Sequence, residues 1–555
     1  MMRSMSRRRF CGTLAGGLAG VRVRGGEAGR SGAVATGHPM ATGAAWRAMQ
    51  AGGNAVDGAI AAALMLGVVD PVNSGLGGGM FLLIRSPDGK FTAIDGREAA
   101  PAAAVRDMFV RDGKAVAELS QQGPLAVAVP SQLAALAEAA AAFGNRPLRE
   151  PLAEAARVAG EGFVPDRTLL ARMASVRLLL PMFPGLAAQF GGAEAGVVLR
   201  QPELAATLRS LAEDGPEWFY RGPFAQRVAA WMRENGGILT EEDFAAYRTV
   251  RREPMVAAYR GFSVTGFPPP SSGGLHIAQM LRLIESFDVA RLGGADRAHL
   301  LVEVMKLAFA DRARWLGDPD HAKVPRGLLR ESYLGGLGAG LRMDRAADIG
   351  QAGSPPDAES DYFRKHTTHF SVCDAAGWWV AATATINTTF GSKVIVPGTG
   401  VVLNNEMDDF SAQPGAANAF GLVGAEANCV APGKRPLSSM SPTIVCSGGE
   451  PMLALGAAGG PTIISQTLLH LVGMLDLGMD AETALRQPRL HHQWRPDQVM
   501  LEPGFPEEVA AELSRRGHKV KKGSAFGVSQ ITARRRAGQL EAAADPRAGG
   551  SGRVW

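Results

Sequence analysis

The chain has 555 residues, 46% hydrophobic and 20% charged, a composition that supports a large buried core and excludes a disordered chain. Lys and Arg number 58 against 53 Asp and Glu, a net charge of +5, and the basic residues are spread out, so no nucleic-acid surface is indicated. Four Cys without a CxxC pair exclude a disulfide framework and a zinc ribbon, and no uninterrupted apolar run reaches the ~18 residues of a membrane span.

Residues 1–30 carry Arg7-Arg8-Arg9-Phe10 and then a short Gly/Ala run from Cys11 to Val21. Basic, apolar and small residues in that order fit a signal segment, and the Arg pair before Phe10 fits a twin-arginine export address. A periplasmic or secreted location is expected. Thr42 to Val69 is Ala-rich with helical spacing, interrupted at Gly52-Gly53. A glycine cluster, Gly75 to Gly79, precedes the apolar run Met80 to Ile84. The turn Ser86-Pro87-Asp88-Gly89 between that run and Phe91 to Ile94 predicts a hairpin. Residues 132–248 read as mostly helical, over 133–143, 148–160 and 202–213, with a helix start at Thr240-Glu241-Glu242-Asp243. Pro268 to Gly274 cannot be regular structure and precedes helices near 275–287 and 296–315. The polar Pro/Gly stretch 351–361 reads as an exposed linker, after which the pattern turns strand-like.

His369 to Cys373 and Trp378 to Asn387 have strand character around the turn Asp374-Ala375-Ala376-Gly377. A hairpin centred near residues 375–376 sets Thr385 opposite Thr367. It places Thr383, Thr385 and Asn387 on one face, because strand side chains alternate; a one-residue slip would flip them. Hydroxyls in such a run fit plain β-propensity as well as chemistry. Leu403 to Phe410 crowds Glu406, Asp408 and Asp409 behind an apolar run, the pattern of a strand end facing a ligand or of a solvated loop. Pro436 to Pro442 is a Ser-rich turn containing Ser438 and Ser439. Gly459-Gly460-Pro461 precedes the helical run Thr462 to Met474, and such a turn offers backbone N–H groups to an oxyanion. Other features read as structure. The cluster at 75–79 is followed by a strand, so it lacks the strand, glycine loop and helix of a nucleotide site. Adjacent His491 and His492 diverge and share no metal, Arg534-Arg535-Arg536 is a solvated turn, and His276 packs.

Several motifs stand in a fixed order: Gly53-Asn54-Ala55-Val56-Asp57, Gly75 to Gly79, Asp95-Gly96-Arg97-Glu98-Ala99-Ala100-Pro101, Pro268 to Gly274, Thr367-Thr368-His369, Asn404 to Phe410, Lys434 to Pro442 and Pro488-Arg489-Leu490-His491-His492. Together, over residues 34–550, they resemble the gamma-glutamyltranspeptidases of the N-terminal-nucleophile hydrolase superfamily. The resemblance implies an α/β fold, a four-layer αββα sandwich. It also implies a precursor that cuts itself between His366 and Thr367, leaving a large subunit, 31–366, and a small one, 367–555. A Thr hydroxyl needs a base, and the freed α-amine of Thr367, with an ordinary pKa of ~7.7–8.0, can be that base near neutral pH.

By the same resemblance Thr385 hydrogen-bonds the nucleophile and Gly459 and Gly460 supply the oxyanion-hole N–H groups. Arg97, Ser438 and Ser439 hold the substrate α-carboxylate, for which the Arg fork is suited. Asn387, Glu406 and Asp409 hold the α-ammonium. The implied substrates are glutathione and other γ-glutamyl compounds, with water or an amino acid or dipeptide as acceptor; no cofactor or metal is implied. Two alternatives stand beside this: a glutaryl (cephalosporin) acylase on the same scaffold, and a non-catalytic glutamyl-binding relative. Asp409 argues against the acylase, because an unpaired carboxylate would face a substrate lacking the α-amine. Three positions depart from the family pattern. Phe420, in the lid-like segment Pro414 to Asn428, replaces a frequent Tyr; Pro461 lacks an N–H; and Ser131 stands where Gly is common.

Overall fold

The computed structural model describes residues 31–356, 368–424, 426–535 and 538–555. The expected signal segment, 1–30, and the expected cut between His366 and Thr367 lie outside them. Strand alternation builds the architecture. In the first sheet the order is Ser551–Val554, Gly32–Thr36, Thr368–Asp374, Trp379–Thr385, Gly79–Arg85, Phe91–Gly96 and Val250–Arg252. In the second it is Leu540–Ala544, Val528–Arg534, Glu450–Ala458, Thr443–Ser447, Phe262–Gly266 and Met255–Tyr259. Every neighbouring pair in both sheets is antiparallel. Both sheets mix strands from before and after residue 366, so the two expected subunits form one interleaved body rather than separable domains.

The hairpin has the register read from its turn: Trp379 pairs with Cys373 and Ala384 with Thr368. Phe370, Val372, Val380, Ala382 and Ala384 face outward into a helical layer that includes the buried helix Ala55–Val69. Cys373, Trp379 and Ala381 face inward, into a core shared with Met440, Ile444 and Ala454 of the second sheet's side. Phe81 stacks on Phe267 in this core at 4.1 Å, a geometry worth ~0.5–1.5 kcal/mol beyond burial. The second sheet's outer face, with Val264, Val445, Leu453 and Ile531, packs on the helices Gly273–Ile284, Gly294–Trp315 and Thr462–Leu471. The result is the four-layer sandwich that was expected.

Local signals explain the helix ends. Asn54 and Asp57 form a capping box on the helix Ala55–Val69, and Thr240 and Asp243 form another on Glu241–Ala246. The Gly53-to-Asp57 motif is therefore scaffold: the same helix is tied to the hairpin turn by the Ala55 N–H, which donates to Asp374 Oδ2 at 2.9 Å. Helices Gln132–Phe143, Arg149–Glu161 and Pro202–Asp214 fall where the periodicity placed them. Among residues 351–356 only Gln351 and Ser354 are exposed and Pro355 is buried, so the start of the linker is less exposed than its composition suggests. Among the described residues no helix is long and apolar enough to cross a membrane.

His369 lies buried between the sheets, its Nδ1 3.0 Å from Thr383 Oγ1 and its Nε2 2.9 Å from Ser371 Oγ. Burial pulls its pKa down to about 3, whereas an unfolded His titrates near ~6.5. Between those values the unfolded chain holds the extra proton. The stability that the neutral ring contributes is therefore complete above pH ~6.5 and is lost as pH falls, at ~1.4 kcal/mol per pH unit. Denaturation measured from neutral pH down to pH ~4 should show a shallower acid slope in His369→Gln than in the wild type. Equal slopes would contradict a neutral buried imidazole.

Candidate active site

Arg97 follows the strand Phe91–Gly96, and that strand end is pinned. Asp95 accepts from Arg252 Nε at 2.6 Å and from Arg435 Nη1 at 2.8 Å, and also from the Arg97 N–H at 2.9 Å. The Arg97 side chain is fully buried. Its Nη1 bonds Glu406, its Nη2 bonds Asp409, and its Nε donates to the Pro436 carbonyl at 2.9 Å. Glu98 adds a third carboxylate at 3.5 Å. The acidic segment is neither a strand end nor a solvated loop, as its sequence allowed. Glu406–Asp409 is one 3-10 turn with every residue buried. It holds its place because Asn404 bonds the Gly77 and Ala128 carbonyls through Nδ2 (2.8 and 2.9 Å) and accepts the Glu406 N–H at 2.9 Å.

One guanidinium faces three buried carboxyl groups. Burial works against the charge on Arg97, but Glu406, Asp409 and Glu98 outweigh it and its pKa is raised. Burial pushes Glu98 up to about 7 and Glu406 well above the usual carboxylate range, in each case against the pull of Arg97. The ring therefore resists further negative charge and favours an added cation.

Asn387 belongs to the same locus but not by the expected route. The strand ends at Thr385, and Asn387 has φ +71, so it leaves the face that Thr383 and Thr385 share. Its N–H folds back onto Thr385 Oγ1 at 2.7 Å, and its Nδ2 donates to the Asn405 carbonyl at 2.9 Å, beside Glu406. Its Oδ1 is buried with no hydrogen-bond partner among the described residues, as is Ser439 Oγ. Ser438 and Ser439 are held by the segment Pro268 to Ser272, which is irregular as expected, whereas Gly273 and Gly274, also expected to be irregular, open the helix Gly273–Ile284. The Ser438 N–H donates to the Pro270 carbonyl at 2.6 Å, and the Ser272 N–H donates to the Ser438 carbonyl at 2.7 Å. The structure thus gathers Arg97, Asn387, Glu406, Asp409 and the Ser438–Ser439 turn around one buried locus. Thr385 sits at its edge through Asn387.

The glycines of the 75–79 cluster serve close approach. A Cβ on Gly78 would overlap the Thr385 carbonyl, and one on Gly79 would overlap the Glu98 carboxyl. Gly459 and Gly460 have φ +125 and +64 and lead into the helix Thr462–Leu471. Pro461 begins the helical conformation and needs no donor there. Thr367 lies outside the described residues.

The lid-like segment closes on itself, with the Gly415 N–H on the Gly424 carbonyl at 2.8 Å. Asn428 ties it to the acidic turn, donating to the Asp409 carbonyl at 2.6 Å and accepting the Leu437 N–H at 3.2 Å. Phe420 is half-buried and its carbonyl accepts from Gln493 at 3.2 Å. His491 and His492 diverge, the first toward Ser465 and Gln493, the second toward Asp497. Elsewhere His299, Glu303 and His518 bring donor atoms within 4.8 Å of one another. The two imidazoles bond each other at 2.8 Å, however, and the Lys306 ammonium lies 2.9 Å from Glu303, so the cation position there is taken. The sequence reading gave no role to Glu98, Asn404 or Asn428. Glu98 could have been suspected as the acid adjoining Arg97 in its motif; the two asparagines act through distant backbone and left no local signal.

A family model described as Gamma-glutamyltranspeptidase matches residues 41–555. The chain is 41% identical over 508 residues to the glutathione hydrolase proenzyme of Escherichia coli (strain K12), covering 90% of this chain and 87% of that protein. It is 38% identical to the acylase ACY 1 proenzyme of Pseudomonas sp. (strain V22), with 89% and 88% covered. The solved structure of a cephalosporin acylase from Bacillus halodurans aligns with a TM-score of 0.84 at 30% identity, over 97% of this chain and 99% of that one.

Proposed function

Because the chain belongs to the gamma-glutamyltranspeptidase family, we propose that it cleaves γ-glutamyl amides such as glutathione and passes the γ-glutamyl group to water or to an amino acid or dipeptide. Thr367 Oγ1 attacks the γ-carbonyl carbon while its proton passes to the Thr367 α-amine. That proton then goes to the departing amine as the C–N bond breaks, leaving an ester on Thr367. Water opens the ester to give glutamate; an acceptor amine opens it to give a new γ-glutamyl amide. The N–H groups of Gly459 and Gly460 stabilise the oxyanion that forms in each half. Thr385 steadies the nucleophile, and Arg97, Ser438, Ser439, Asn387, Glu406 and Asp409 hold the α-carboxylate and α-ammonium.

One observation carries this reading over the acylase one: a single guanidinium set against Glu98, Glu406 and Asp409. A γ-glutamyl group brings an ammonium to carboxyl groups that burial holds toward the protonated form, and so favours their ionisation. A glutaryl group brings only another negative charge into a buried, acid-rich ring. Arg97 is already bonded by both Glu406 and Asp409, so binding the α-carboxylate requires it to exchange one of these contacts. Side-by-side turnover of γ-glutamyl- and glutaryl-p-nitroanilide tests the choice. The γ-glutamyl substrate should be favoured in kcat/KM by more than about 10-fold, the worth of one charge-assisted bond. A preference for the glutaryl substrate would reverse the assignment.

A further inference from the structure

Buried behind the glycine turn is a chain of polar side chains that the reaction as written does not use. Gln466, fully buried on the helix Thr462–Leu471, makes four hydrogen bonds with its amide. Its Nε2 donates to the Ala458 carbonyl and to Thr462 Oγ1, each at 3.0 Å. Its Oε1 accepts from Arg489 Nη1 and Ser529 Oγ, each at 3.0 Å. The amide is saturated, and its orientation is decided by its neighbours, since a flip would set NH₂ against a guanidinium. Arg489 is fixed in turn by Asp545. Thr462 completes the chain: its hydroxyl donates to the Gly459 carbonyl at 2.6 Å.

Peptide planarity turns these contacts into a constraint on the oxyanion donors. In a trans peptide the carbonyl of one residue and the N–H of the next point in opposite directions. Holding the Ala458 carbonyl fixes where the Gly459 N–H points, and holding the Gly459 carbonyl fixes the Gly460 N–H. Gln466 reaches the first carbonyl directly and the second through Thr462. Two adjacent glycines at positive φ are otherwise the most conformationally free residues available, so an external brace is what their role requires.

We propose that Thr462 and Gln466, backed by Arg489, are positioning residues that aim the Gly459 and Gly460 N–H groups at the developing oxyanion. The inference rests on the γ-glutamyl reading above. It concerns the transition state and not the bound substrate, because the negative oxygen exists only during acyl transfer.

The test uses the processed two-subunit protein. Thr462→Val keeps the side-chain shape and removes the hydroxyl; Thr462→Ser restores it. In Thr462→Val, kcat for a γ-glutamyl amide should fall about 10- to 100-fold, less than the 10²–10³ of losing a donor outright. KM should stay within about threefold, the pattern of an interaction made only in the transition state. Thr462→Ser should recover most of kcat. A γ-boronic acid analogue of glutamate, whose boronate oxygen takes the oxyanion position, should bind Thr462→Val at least about 10-fold more weakly, while product glutamate binds as before. Gln466→Glu, which keeps the acceptor toward Arg489 but loses both donors, should show the same split. A wild type without γ-glutamyl turnover would sink the underlying reading. An active wild type with Thr462→Val unchanged in kcat, or with glutamate and boronate affinities falling together, would overturn this inference alone.

Discussion

Thr367→Ala should remain one uncut chain through the 366–367 bond and should lose γ-glutamyl turnover by more than about 10⁴-fold, as when an enzyme nucleophile is removed outright. The same hydroxyl is asked to do two things. It attacks the His366 carbonyl to give an ester that water opens, and the amine so released then serves as its base toward substrate. Alanine has no hydroxyl for either step. Thr367→Ser retains the nucleophile but loses the methyl that restricts χ1, so it should be cut, more slowly, and keep part of its activity. Thr368 is the internal control. It pairs with Ala384 and shares strand parity with Phe370 and Val372, the residues that face the outer helices. Thr368→Ala should therefore still be cut between His366 and Thr367. Mass spectrometry of the small fragment decides: an N-terminus anywhere but Thr367, or turnover by uncut Thr367→Ala, refutes the mechanism.

The sequence was most informative where one local rule governed. The hairpin register followed from a four-residue turn and strict alternation, and it holds from Trp379↔Cys373 to Ala384↔Thr368. Alternation failed at Asn387, where the backbone turns through φ +71 and the period of two no longer applies. The acidic turn was visible as a cluster of carboxylates, but its burial was not. Three acids within four residues fit a solvated loop as well as a ligand-facing strand end until a buried Arg from 309 residues away is placed against Glu406. The glycine cluster leads into the strand Gly79–Arg85 rather than into a helix, as its sequence suggested. Its purpose, letting the Thr385 strand end and Glu98 approach closely, depends on partners far along the chain. The brace behind Gly459 and Gly460 was hidden for the same reason: Ala458, Gln466, Arg489, Ser529 and Asp545 share no periodicity. Only Arg489 fell inside a motif, and that motif carried no chemistry by itself.

The acid ring supplies the second large effect. Removing one partner of a buried ion cluster leaves the rest uncompensated, at a cost of ~3–5 kcal/mol. Arg97→Ala leaves three buried carboxyl groups without their cation and should lower stability by at most about that much, since they can protonate, as well as abolish tight substrate binding. Asp409→Asn is the cleaner probe, because it keeps shape and leaves Arg97 facing Glu406 and Glu98. It removes a charge-assisted contact to the substrate ammonium worth ~1.5–3 kcal/mol, a fall of about 10- to 150-fold in kcat/KM for γ-glutamyl donors. Cutting at Thr367 should survive, since that step needs no ammonium anchor. The sharper sign is the change in preference. With one negative charge gone, a glutaryl group is repelled less while a γ-glutamyl group is held less, so the γ-glutamyl to glutaryl ratio of kcat/KM should drop further than the γ-glutamyl value alone. A variant that was merely misfolded would lose both activities in proportion. An unchanged ratio in correctly cut Asp409→Asn would mean that Asp409 does not face the substrate ammonium.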